Sequence, residues 1–192
     1  MSEMKSAFEK ALEKAEKLGK LSPEEMRQQK EKEYTPIGRA IADRYLGHGH
    51  NPILKEEVNR YSGEEKAIVI KAALSTLEEA IGLESDEVAE RAIAGILTFR
   101  GEEKFGGISE RIRSLLGEYR EVKRQKYEEQ KEHIERRERE LLHQLRISGS
   151  AVGEINLQTS EAWARISQEL FSRFDERLEE LKRELTNLLQ VA

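Results

Sequence analysis

From Ser109 to about Arg146 the chain contains no proline, and its apolar residues fall at Ile112, Leu115, Tyr119, Val122, Tyr127, Ile134, Leu141 and Leu145. Spacings close to three, four or seven residues put these side chains on one face of a helix on the order of 55 Å long, more than a small globular domain is wide. Between Glu118 and Glu140 the stripe thins, and eight basic residues share the stretch with eight glutamates. Many of them stand at i, i+4, as Glu132 with Arg136 and Glu135 with Arg139, a spacing that supports an exposed helix by a few tenths of a kcal/mol per pair. Most of the circumference there is expected to face water.

A second long stripe follows the connector Ser148-Gly149-Ser150-Ala151-Val152-Gly153: Trp163, Ile166, Leu170, Phe174, Leu178, Leu181, Leu185 and Leu188. It predicts a helix over 160–189, about 45 Å long. Two long helices with complementary stripes and a short connection should fold back antiparallel.

Upstream, the punctuation is that of shorter helices. Ser22-Pro23-Glu24-Glu25 reads as a capping box with proline at the first helical position. Thr35-Pro36 and Asn51-Pro52 repeat the signal, so all three prolines mark helix starts, and Ser62-Gly63-Glu64-Glu65 is a further capping box. Gly19, Gly47 and Gly82 follow helical stretches where a left-handed C-terminal residue is expected. The helices fall at roughly 3–18, 23–33, 36–46, 52–60, 63–81 and 86–99. No alternation of period two flanked by hairpin turns is present, so no sheet is predicted. The expected fold is all-α: a small multi-helix head with a long antiparallel, coiled-coil-like helical hairpin at the C-terminus.

Charge divides the chain without contradicting that architecture. Residues 1–35 carry 8 basic and 8 acidic side chains, 36–105 carry 9 and 13, and 106–192 carry 16 and 17. The apolar material concentrates in the middle block. The domain reading is therefore a charged helical arm at 1–35, a compact head at 36–105 and the hairpin at 106–192. A net charge of −5 argues against a generic nucleic-acid binder, which shows a basic excess on the domain or on one face. With 0 cysteines, disulfides, thiolate metal sites and cysteine nucleophiles are excluded. No apolar run reaches the length of a signal peptide or a membrane span, so a soluble cytoplasmic protein without a membrane partner is expected.

Candidate sites are few. His48-Gly49-His50 is the single histidine cluster, but a metal centre needs three or four ligands, and His133 and His143 belong to the distant hairpin. The loop is read as a helix end, with no metal and no cofactor expected. No carboxylate pair sits in an apolar setting, no serine lies in a nucleophile elbow, and no phosphate-binding glycine loop follows a strand. No catalytic residue is assigned, and the expectation is a non-enzymatic protein.

The connector at 147–157 stands out as small and nearly uncharged between highly charged helices. Ile147, Val152, Glu154, Ile155 and Leu157 read either as a tip that enters a partner's groove or as a plug folded back over Trp163. Arg136, Arg137, Arg139 and Arg146 form a second candidate surface, for RNA phosphates, weakened by the glutamates between them. In outline such a hairpin resembles those of the transcription-cleavage factors that enter the RNA polymerase channel. That group depends on acidic tip residues, here represented by Glu154 alone, so the outline carries no function across. The expected role is a protein–protein interaction module, an adaptor, scaffold or assembly factor. Its partner would be another protein or complex, or a second copy of the chain, with a ribosome- or RNA-associated factor as the alternative.

Overall fold

The computed structural model describes residues 22–48, 51–145, 158 and 160–191. They form six helices: α1 (Pro23–His48), α2 (Asn51–Val58), α3 (Gly63–Glu79), α4 (Asp86–Arg100), α5 (Glu102–Gln144) and α6 (Glu161–Val191). No strand occurs among the described residues, so the all-α reading holds. The expected helix at 3–18 lies outside them.

The start of α1 is the capping box read from sequence. The Ser22 backbone N–H donates to Glu25 at 2.7 Å, and the Glu25 N–H donates to the Ser22 hydroxyl at 3.2 Å. Hydrogen bonds to its carboxylate from the Ser22 backbone N–H and then the Ser22 side chain hold the Glu25 carboxyl below the usual range.

Three expectations fail in the head, each for a tertiary reason. Pro36 begins no helix; it lies inside the continuous 26-residue α1. An interior proline costs about 3 kcal/mol, and contacts on both sides of it offset that cost. Lys30 pairs with Glu64 at 2.6 Å, Tyr34 meets Tyr61 edge-on with centroids 5.9 Å apart, and Gly38 lies against Val69 and Ala72. The Ser62 hydroxyl makes no cap bond, and the Glu65 carboxylate that would complete the box is hydrogen-bonded to Tyr34 of α1 instead. Gly19 lies outside the described residues; Gly47 lies in the last turn of α1, and among the described residues the positive-φ glycines are Gly63 and Gly101 rather than Gly47 or Gly82. In that last turn the Arg91 guanidinium donates to the Leu46 and Gly47 carbonyls.

Because Lys30 meets Glu64 while Gly38 meets Val69 and Ala72, α1 and α3 run side by side in the same direction, with α2 as the crossover. Theirs is the most extensive helix pairing among the described residues. Tyr45 reaches across to α4, donating its hydroxyl to the Arg91 carbonyl at 3.0 Å.

Gly101, at φ 81°, is the whole connection between α4 and α5. The long helix therefore begins seven residues before the expected Ser109, taking in Gly106 and Gly107, and buries Phe105 and Ile108. Its 43 residues make it about 65 Å long. One apolar cluster runs from Ile41 and Tyr45 of α1 through Leu77 of α3 and Ile93 of α4 to Leu116 and Tyr119 of α5 and Phe174 and Leu185 of α6. The body-side halves of both long helices thus belong to the same core as the head.

Candidate functional site

The pairing of α5 with α6 changes character along its length. Nearest the body, Arg111 meets Glu184 at 2.6 Å. The Arg177 guanidinium then grips both oxygens of Glu118 at 3.0 and 2.8 Å, a two-pronged geometry that holds the carboxyl below its usual range. Tyr119 packs on Phe174 with centroids 5.4 Å apart. The guanidiniums of Arg173 and Arg177 each lie 5.1 Å from the centre of that ring. As α5 numbers rise, α6 partners fall, so the helices are antiparallel.

Beyond Tyr119 the core nearly stops. Ile134 is the single buried residue of α5 from there to Gln144, and it forms a separate small cluster with Trp163, covered by Tyr127, Ala162 and Ile166. Tyr127 stands edge-on to Trp163, centroids 5.1 Å apart. The Ser160 hydroxyl accepts from the Trp163 N–H at 3.2 Å, capping α6 where the sequence placed its start. The rest of this arm is held by pairs within α5, such as Arg124 with Glu121 at 2.7 Å and Lys126 with Glu129 at 2.6 Å. Exposed pairs of this kind contribute roughly 0–1 kcal/mol each.

Two features mark the arm as a surface for contact. Leu141 and Leu145 are 44% and 69% exposed, at the far end of a helix whose neighbouring positions are largely charged. Flanking the Trp163–Ile134 cluster are two grooves of about 680 Å³ each. One is lined by Tyr119, Tyr127, Trp163 and Phe171, with Arg120, Lys123 and Arg124 along its rim. The other holds His133, Ile134, Leu141 and Ile166 beside Arg137, Glu138 and Arg165.

Of the sequence-derived tip, Ile147, Val152, Glu154, Ile155 and Leu157 lie outside the described residues, as do Arg146 and His50. Arg136, Arg137 and Arg139 are exposed on α5. Arg136 and Arg139 share a face at i, i+3, whereas Arg137 turns to the second groove. Arg139 is paired with Glu135. His48 is exposed at the end of α1, and among the described residues no group of three or more His, Asp or Glu is placed to hold a metal. Sequence reasoning missed the first groove. Its signal lies in Tyr119, Lys123 and Tyr127, four residues apart on one face, but cations inside a net-neutral run have the pattern of solvated surface.

The molecule is thus an all-helical protein with a two-helix arm. No helix among the described residues is long and apolar enough to cross a membrane. Residues 55–187 match a family of unknown function, DUF6657, and the chain belongs to that family. The matched span begins in α2 and ends in α6, so it contains the arm and leaves out α1. Neither a curated protein nor a solved structure matches the chain.

Proposed function

We propose that this chain is a non-enzymatic protein–protein interaction module, an adaptor, scaffold or assembly factor, that engages its partner through the far end of the α5–α6 arm. A cytoplasmic location is part of the proposal. The observation that carries it is the exposure of Leu141 and Leu145 where the arm has almost no core of its own. Covering a leucine removes apolar area worth roughly 1.5–3 kcal/mol when burial is complete, and paired apolar anchors of this kind dominate interfaces. The test is affinity purification from the native cell with the intact chain and with Leu141→Ser/Leu145→Ser. The variant should lose a specific co-purifying protein and keep its melting temperature within a few degrees, because neither side chain is in a core. An unchanged set of co-purifying proteins would refute the reading. If the patch instead joins two copies, light scattering of the purified chain gives twice the monomer mass, and the same variant halves it.

The alternative, an RNA- or ribosome-associated factor, is supported by Arg136 and Arg137, which are exposed and, among the described residues, unpaired with any carboxylate. It requires ribosome co-sedimentation that weakens steeply with salt and falls in Arg136→Glu/Arg137→Glu. Insensitivity to both removes it.

A further inference from the structure

The groove beside Trp163 differs chemically from the leucine end of the arm. Four aromatic residues form its walls and three cations its rim, and no carboxylate lines it, although the chain as a whole carries more acidic than basic residues. Two of the rim cations have solvent-exposed partners: Arg120 meets Asp86 at 3.2 Å, and Arg124 holds both oxygens of Glu121 at 3.0 and 2.7 Å, all four side chains exposed. Lys123 has the Tyr119 hydroxyl at 3.4 Å and no carboxylate partner among the described residues. Exchanging such solvated pairs for new ones costs little.

The groove follows α5 from Tyr119 to Tyr127 and α6 from Trp163 to Phe171, about 12 Å or two helical turns on each wall. A third helix laid there would set apolar residues at i, i+3 and i+4 against the edges of the half-buried Tyr127 and Phe171 and carboxylates against Arg120, Lys123 and Arg124. A nucleic-acid strand is a poorer match. Tyr119 and Trp163 are only 4% and 7% exposed, and Tyr127 turns its ring edge-on to Trp163, so few open ring faces are offered for bases to stack upon.

We propose that this groove docks an acidic amphipathic helix of a partner protein, completing a local three-helix arrangement on the arm. The proposal rests on the interaction-module reading and narrows it to a chemical class of partner. Its probe is a fluorescein-labelled 18-residue Leu/Glu amphipathic peptide, titrated into the intact chain and followed by anisotropy. Trp163, the only tryptophan of the chain, gives a second signal inside the groove.

Saturable binding with a shift in Trp163 emission is expected. It should weaken at least tenfold with a Leu/Gln peptide of the same pattern and at least tenfold in Lys123→Glu/Arg124→Glu, which should in turn bind a Leu/Lys peptide. Gln168→Glu, an exposed change on the opposite wall, should weaken the Leu/Glu peptide too, which guards against misfolding of the double variant. Equal binding of the Leu/Glu and Leu/Gln peptides, indifference to these variants, or preference for an oligouridylate would overturn the proposal. Absence of peptide binding combined with partner loss in Leu141→Ser/Leu145→Ser discards the groove and keeps the module. An unchanged set of co-purifying proteins in that variant strikes the module reading itself.

Discussion

Gly38 has no side chain because α3 passes through the space one would occupy. A methyl group there would lie 2.8 Å from the Ala72 Cβ and 3.1 Å from the Ala73 backbone nitrogen, and closer still to the Val69 carbonyl oxygen. Two of those neighbours are backbone and cannot swing aside. Gly38→Ala should therefore destabilise the protein by about 1–3 kcal/mol, although alanine in a helix interior is ordinarily favoured over glycine by about 1 kcal/mol. Chemical denaturation of the two proteins decides the sign, and a more stable variant would mean that α1 and α3 are not in close contact. Gly95 is crowded too, but by the side chains of Leu77 and Tyr45 rather than by backbone. This close approach of Gly38 to Ala72 and Ala73 is not legible in the sequence, because a search for apolar stripes weights large side chains and reads glycine as punctuation. Tyr45, Leu77, Ile93 and Phe174 were legible as core, since bulk and helical spacing coincide there. The grooved site was only half legible. Its aromatics appear in the stripes, but which cations flank them depends on how α6 lies against α5.

At the scale of elements, the helices that the sequence delimits well are those ended by local chemistry, such as the Ser22 capping box and the Ser160 cap. The boundary it misplaces, at Pro36, is decided by packing against α3. If tertiary contacts carry the helix through that proline, Pro36→Ala should stabilise it. The new N–H can reach the Lys32 carbonyl and a steric clash is relieved, while the unfolded chain gains some freedom, for a net gain of about 1–2 kcal/mol. A loss in denaturant midpoint would show that the fixed φ of proline is what positions the N-terminal half of α1. Between α5 and α6 the exposed pair of Arg177 on Glu118 bridges the two helices, and the sign of its pH dependence follows from the lowered carboxyl. A carboxyl that ionises more readily in the folded state stabilises the fold above its unfolded pKa, and that contribution disappears as pH falls through the folded value. Glu64 beside Lys30 and Glu121 beside Arg124 are shifted the same way. Melting temperature should accordingly be flat near neutrality and decline below about pH 4.5. Glu118→Gln should lower it at pH 7 by a small amount that shrinks as pH falls below the unfolded carboxyl pKa. A deficit that stays constant from pH 7 to 3 would mean that Gln disturbs packing and that the charge contributes nothing.

For the whole molecule, the distribution of apolar contacts implies two levels of stability in one chain. The large cluster joins all six helices, so the head and the body-side halves of α5 and α6 should unfold together. The outer cluster has two buried residues, Ile134 and Trp163. At roughly 1.5–3 kcal/mol for each large buried side chain, this cannot hold some 25 Å of paired helix as firmly as the body is held. Hydrogen exchange read by mass spectrometry should therefore show amides of 127–144 and 161–166 exchanging well before those of 41–45, 89–96 and 170–185. Two substitutions separate the levels. Ile134→Ala opens a cavity in the outer cluster and should speed exchange in the arm alone, leaving the main melting transition within a degree or two, since the side chain touches nothing in the body. Phe174→Ala removes a fully buried ring that packs on Tyr119, and should cost about 3–5 kcal/mol across every segment at once. The same comparison bears on function. An arm that opens below the body's threshold can be ordered by what it binds, so adding the Leu/Glu peptide should slow exchange in 119–127 and 163–171 while 89–96 stays as it was. Uniform protection along the arm and body without any ligand would make the outer cluster an integral part of the core, and the arm a rigid extension that no partner is needed to complete.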